Sequence, residues 1–267
     1  MKKLLWFAVI VLWVGVPAAE STPQAGTSAA NEVQAHLLLQ QSLSVLTAGL
    51  PVTNVTLTGT ARRIAGSDDE SGSVTVKILS SGATRLDFIF PSGARSEFRS
   101  FSSNASVGGW SGPDGVSHSI PDHNLVNDWG WSPAFTLAAA ADGQNSVVTL
   151  VGSETRNGQA VIHIVASQKF PALSSDVASL TQHLSQIDIF LDATTHLPVS
   201  FVYNIHPDDN ALSDIPLELR FLDYRAVSGG RVPFHVQKFV NSSLTLDLQF
   251  ENATFNADIA ATQIGVS

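Results

Sequence analysis

The alternation of apolar and polar residues between Ile187 and Asn256 limits what this chain can become more than any other feature. In its clearest passage Leu244, Leu246, Leu248 and Phe250 fall on one side of an extended segment, and Thr245, Asp247, Gln249 and Glu251 on the other. A period of two belongs to a strand with one face in a core and the other in water. Val199, Phe201, Tyr203 and Ile205 repeat the pattern, as do Leu217, Leu219 and Phe221, and turn-forming stretches at 192–198, 206–210 and 228–230 separate the segments. The region is expected to fold as an antiparallel meander with one wet face.

The first half follows the same logic after an opening helix. Residues 20–30 are rich in Ser, Thr, Gln, Gly and Ala and read as a flexible spacer. Asn31 then opens a helix to about Ala48, with Ala35, Leu38, Leu39, Leu43 and Leu46 on one stripe and Gly49 as its stop. Strands are expected at 52–61, 73–79, 85–90 and 96–103, joined by hairpin connections at 66–72, 80–82 and 91–93. The stretch from Gly108 to Gly143 differs in kind. It carries Trp110, Trp129 and Trp131 with His118 and His123 in a Gly/Ser/Pro/Asp-rich setting, read as an aromatic loop leading into a short helix that Ser132 caps and Pro133 begins. Strands at 146–153 and 160–167, joined through Arg156-Asn-Gly158, and a helix at 174–185 complete the order.

Composition narrows the function classes. Hydrophobic residues make up 44% of the 267 and charged ones only 14%, enough apolar material for a sizeable core and too little charge for a disordered chain. The formal charge of −9 argues against nucleic acid as a partner. Lys2-Lys3, the apolar run from Leu4 to Val16 and the small residues at 17–19 have the layout of a signal peptide over residues 1–19, which places the expected mature protein in the periplasm. With no cysteine, neither a disulfide nor a lipid attached through cysteine is available.

The chain's signals of chemistry are weak. His118, Asp122 and His123 form the tightest cluster of ligating or catalytic side chains, a candidate hydrolase or metal centre, but no third ligand or nucleophile elbow stands at motif spacing. Asp68-Asp69-Glu70 and Asp208-Asp209 fall in expected turns, where acids serve solvation. His163 reads as a strand residue. Arg62-Arg63 and Arg95 with Arg99 are the local basic spots, able to meet a ligand headgroup or to pair with the surplus of acids. No cofactor, metal or catalytic residue is expected.

The leader, the amphipathic first helix, the run of antiparallel strands and a closing meander of the form Leu197-Pro198-Val199, Leu217-Glu-Leu-Arg-Phe221, Val232-Pro233-Phe234 and Leu244 to Asn252 resemble the periplasmic lipoprotein-carrier (LolA/LolB-like) superfamily. The resemblance covers most of residues 31–256 and implies one β-rich domain over 31–267, with an insertion at 108–143. It also implies an α+β fold in which a curved antiparallel sheet, a half-barrel of about ten to eleven strands, holds helices as a lid on its concave side. Such a fold accepts acyl chains.

The aromatics carry the binding expectation. Phe88, Phe90, Phe201, Tyr203, Phe221, Phe234 and Phe250, with Leu246, lie on strands, and Trp110, Trp129 and Trp131 in the insertion. In a filled sandwich the strand residues are core, whereas in a lidded half-barrel they line a cavity for an apolar ligand. The expected protein is a non-catalytic, exported monomer that binds a lipid, lipoprotein acyl chains or another hydrophobic ligand. The alternative is a sensor or envelope-assembly protein with a membrane or envelope protein partner.

Overall fold

The computed structural model describes residues 25–101, 106–126, 130–144, 146–169, 174–259 and 263–265. The expected leader and Trp129 lie outside the described residues.

All strands among the described residues join one sheet. The N-terminal meander consists of β1 (Asn54–Ala65), β2 (Asp68–Leu79), β3 (Thr84–Phe90), β4 (Gly93–Phe101), β5 (Ser106–Ser111) and β6 (Ser117–Ser119). The C-terminal meander consists of β7 (Ser146–Arg156), β8 (Gln159–Gln168), β9 (Ile187–Asp192), β10 (Pro198–Ile205), β11 (Ile215–Val227), β12 (Gly230–Val240) and β13 (Ser243–Phe255). The first strand pairs antiparallel with the last, so the two meanders form a thirteen-stranded sheet ordered β6-β5-β4-β3-β2-β1-β13-β12-β11-β10-β9-β8-β7. Among the described residues four helices accompany it: α1 (Ala25–Thr47), α2 (Asp122–Leu125), α3 (Pro133–Ala140) and α4 (Ser175–Leu184).

The strand count exceeds the expected ten or eleven because β5 and β6 lie inside the stretch read as a loop. Their sequences, Ser-Val-Gly-Gly-Trp-Ser and Ser-His-Ser, show no apolar alternation. The glycines are there because neighbours fill their space: a Cβ on Gly108 would stand 2.5 Å from Leu125 Cδ2, and one on Gly109 would stand 2.8 Å from the Phe98 ring. Two further readings are corrected. Asp68-Asp69-Glu70 is strand, because a turn at Gly66 (φ 62°) and Ser67 brings Ala65 opposite Asp68. Helix α1 starts six residues before Asn31, in an alanine-bearing segment that favours helix.

The sheet curls. Helix α1 packs against β7 and also against β12, five places along the sheet, which requires the sheet to wrap around it. At the other edge α2 reaches across to the loop after β10. The Asn124 side-chain amide donates to the His206 carbonyl (2.7 Å), and the His206 backbone N–H donates to Asn124 Oδ1 (2.8 Å). The concave face presents Leu57, Val76, Leu86, Ile189, Phe201, Leu219, Val236 and Leu248 to the inside, all buried together with α1 and α3. Strand β13 shows how phase is kept: Leu248 and Phe250 face in, a bulge opposite Thr58/Gly59 takes up Glu251, and the inward set then continues at Ala253 and Phe255.

Helix α1 buries Ala35, Leu39, Ser42 and Leu46, a stripe at helical spacing. The Ser42 hydroxyl on that stripe is fully buried and has no hydrogen-bond partner among the described residues. An unmet buried hydroxyl opposes folding by roughly 1–3 kcal/mol. Ser42→Ala is therefore expected to raise stability by about 1 kcal/mol and Tm by about 2–4 °C in a thermal melt. Leu39→Ala on the same stripe is expected to lose about 2–5 kcal/mol.

The turn between β9 and β10 makes a second prediction. Burial pushes the Asp192 carboxyl up, but the Gln159 amide (2.6 Å) and the backbone N–H groups of Thr195 (2.5 Å) and Thr194 (3.0 Å) outweigh it, and the pKa falls to about 2. A folded-state value below the ordinary 3.8 means that the stabilisation is complete above that range and is lost as pH falls through about 2. Asp192→Ala is expected to cost about 1–3 kcal/mol at neutral pH by urea denaturation, with the deficit closing as the titration is repeated between pH 4 and pH 2.

Candidate functional site: a charged cleft on the concave face

The helices do not cover the whole concave face. Helices α1 and α3 pack on β7, β8 and β12, and neither packs extensively on β3, β4 or β5. A cleft of about 230 Å³ lies there. Strand β3 supplies Leu86, Phe88 and Phe90 as its floor, β13 adds Leu246, Trp131 from the segment before α3 forms one wall, and Trp110 on β5 stands at the rim. Phe88 and Phe90 stack with ring centroids 5.6 Å apart. Trp110 is 45% exposed and is held by stacking on His118 at 4.1 Å.

The register of β3 with β4 determines what faces this floor. Phe88 pairs with Arg95, Leu86 with Glu97 and Thr84 with Arg99, so three charged side chains of β4 lie on the concave side. Arg63 on β1 and Lys238 on β12 join them, each at the end of an apolar stripe: Val55, Leu57 and Ala61 before Arg63, and Val232, Phe234 and Val236 before Lys238. Arg63 reaches Glu70 at 3.2 Å, Arg95 reaches the same carboxylate at 3.9 Å, and Arg99 reaches Glu97 at 3.3 Å. Two carboxylates thus face four cations. The Lys238 ammonium has no hydrogen bond or ion pair among the described residues and sits 5.8 Å from the Trp131 ring centre. Burial pushes the Glu97 carboxyl up, yet Lys238 and Arg99 together bring it below its ordinary value. The Glu70 carboxyl is also held low, first by hydrogen bonding from Ser92 and then by Arg63 and Arg95. In a chain of net charge −9, the cleft is a local positive field over an aromatic floor.

The expected binding residues divide. Phe88, Phe90, Trp110, Trp131 and Leu246 line the cleft. Phe201, Tyr203, Phe221, Phe234 and Phe250 are buried in the packed core away from it, with Phe201 edge-on to Phe221 at 4.9 Å. Trp131 walls this cleft and also a second, nearly filled space under α1 and α3, so it separates the cleft from the packed interior. Gly130 lets this segment lie on the sheet, since a Cβ there would stand 2.7 Å from Leu219 Cδ1 and 3.3 Å from the Tyr203 ring. Trp110 belongs to strand β5, although the sequence suggested a loop.

The His118, Asp122 and His123 constellation does not assemble. His118 is engaged with Trp110, whereas His123 turns to the Pro207 carbonyl (3.1 Å). His163 pairs with Asp188 at 2.7 Å on the outer face. Sequence reasoning missed Lys238 and Glu97, although a charged residue standing in the apolar phase of a strand was the available signal.

No protein-family model matches the chain, and no curated protein matches it in sequence. Solved structures do match in shape. A domain from Vibrio parahaemolyticus, assigned by its description to outer membrane lipoprotein sorting, superposes with a TM-score of 0.56 at 12% identity, covering 88% of this chain and 97% of that one. A DUF1329 family protein from Desulfovibrio piger gives 0.54 at 8% identity, covering 88% and 98%. A LolA superfamily protein from Nitrosomonas europaea gives 0.50 at 10% identity, covering 86% and 97%. At these identities the likeness is one of fold. The chain has a LolA-like fold, a single curved antiparallel sheet wrapped around helices.

Proposed function

We propose that the protein is a non-catalytic binder of an anionic amphiphile, such as a fatty acid or an acidic lipid, taken up on the concave face through the β3–β5 cleft. The observation that carries this reading is the cleft itself. An apolar floor of Leu86, Phe88 and Phe90 lies beneath Arg63, Arg95 and the Lys238 ammonium, which makes no direct ion pair among the described residues. A neutral apolar ligand gains nothing from those cations, and an anion without a tail gains nothing from the floor. The outer membrane lipoprotein sorting named for the Vibrio parahaemolyticus structure is in keeping with an acylated ligand. The leader expected at 1–19 is in keeping with work outside the cytoplasm, and no helix among the described residues is long and apolar enough to cross a membrane.

The mechanism follows from size. At about 230 Å³ the cleft is smaller than the ~300–1,000 Å³ usual for a ligand pocket. The headgroup meets the cations at the rim, and the tail advances by displacing Trp131 and the α3 segment behind it, the wall between cleft and interior. Each methylene buried returns about 0.8 kcal/mol, against which the displaced packing must be set. Nothing in this cycle requires a nucleophile or a metal.

Uptake of a fluorescent fatty acid by the delipidated protein, followed by competition with unlabelled chains, tests the proposal. Affinity is expected to rise by up to about four-fold per methylene until the accessible space is filled. Fatty alcohols are expected to compete more weakly than acids of equal length, and Lys238→Glu to weaken the acids by about ten-fold while leaving the alcohols unchanged. No uptake at all, or equal competition by acids and alcohols, overturns the assignment. In the first case, capture of an envelope protein partner becomes the reading to pursue.

A further inference from the structure

A second cluster lies away from the cleft, where the C-terminal end of α4 meets the loop between β10 and β11. His183 in the last turn of α4 and His206 just after β10 both direct Nε2 at one oxygen, Asp214 Oδ1, at 3.1 and 3.0 Å. These three are the group of ligating side chains that converge among the described residues, with their ligand atoms all within 4.8 Å of one another. From the convergence we propose that His183, His206 and Asp214 form a binding site for a divalent transition-metal ion, zinc in the first instance.

The chemistry fits. Two imidazoles and one carboxylate are a donor set that zinc accepts, with bonds of about 2.0–2.2 Å, and tetrahedral ligands on such bonds stand roughly 3.3 Å apart. The observed separations of 3.1 and 3.0 Å from the shared oxygen are within a few tenths of an ångström of that spacing. The three donors come from one helix end and two ends of a loop, and the two imidazole nitrogens lie within 4.8 Å of each other, so an ion is admitted once they draw together. His206 is fixed in advance: its side chain is 1% exposed, and its backbone is clamped by the two hydrogen bonds with Asn124. His183 and Asp214 are each 42% exposed, leaving the fourth position open to water or an exchangeable ligand.

The site also answers a need of the fold. Helix α4 is weakly anchored: Val177 and Leu180 are exposed, and Leu184 is its buried residue. A metal bound through His183 would pin the helix to the β10–β11 loop next to the residue that carries it, and through Asn124 to α2 as well. The role is that of a staple rather than a reaction centre, and it stands apart from ligand uptake in the cleft.

The test is titration of the metal-free full chain with zinc by calorimetry, with cobalt as a spectroscopic substitute. One equivalent is expected to bind, cobalt is expected to show the intense visible bands of four-coordinate geometry, and zinc is expected to raise Tm. His183→Ala and Asp214→Asn, both at half-exposed positions, are expected to weaken binding by about ten-fold or more each, because loss of even an outer partner costs about 10–100-fold. His235→Ala, a histidine paired with Asp247 on the outer face, serves as a control and is expected to change nothing. Circular dichroism establishes that each variant remains folded, and His183→Gln replaces His183→Ala if it does not. Absence of stoichiometric binding, or binding undiminished in the His183→Ala/Asp214→Asn double variant, overturns the proposal.

Discussion

Everything in this molecule depends on one requirement: a single sheet thirteen strands wide must hide its apolar face without a second sheet to pack on it. A sandwich meets that requirement by symmetry. Here the chain meets it by curling the sheet and placing α1 and α3 inside the curl, where Ala35, Leu39, Leu46, Phe135 and Leu137 complete the core. Two helices cannot cover thirteen strands. They cover the side formed by β7, β8 and β12, and on the β3–β5 side the short α2 packs on β5 alone.

The sequence answers that shortfall strand by strand. Beneath the helices the inward residues are Ile189, Phe201, Leu217 and Leu219, which are almost completely buried. Where cover ends, the inward residues of β4 become Arg95, Glu97 and Arg99, and the apolar stripes of β1 and β12 end in Arg63 and Lys238. A charge buried without a partner is costly, so the charges lining the cleft keep access to water, and the buried Arg99 is paired with Glu97 and the Asn124 carbonyl. Lys238 makes no direct ion pair among the described residues, only a longer-range attraction to Glu97, and a cation so placed in a cleft is a reason to look for an anionic ligand.

How far this was legible in the sequence depends on the signal each part left. Alternation in Leu246–Phe250 and in Phe201–Tyr203 correctly marked strands and their inward faces, because period two survives wherever one face is dry, whereas a register shift sets Leu244 opposite Phe239 and outside the core. It failed at β5 and β6, whose glycines make room for Leu125 and Phe98 rather than contribute side chains of their own. The division of the aromatics between packed core and cleft wall was invisible for a different reason. Phe88 and Phe201 have the same local pattern, and only the position of α1 and α3 across the sheet separates them. His183, His206 and Asp214 likewise meet only through the tertiary fold, whereas His118 and His123, close in sequence, turn apart.

The central claim is that the uncovered part of the concave face is where a ligand enters. Photo-crosslinking with a diazirine-bearing fatty acid, followed by peptide mapping, tests it most directly. The account predicts labels on β3, on β5 around Trp110 and on the segment containing Trp131, suppressed by excess unlabelled fatty acid. Labels confined to the outward residues of α1, Val33 and Leu37, or to the exposed face of α4, would contradict it, as would labelling that unlabelled fatty acid does not suppress.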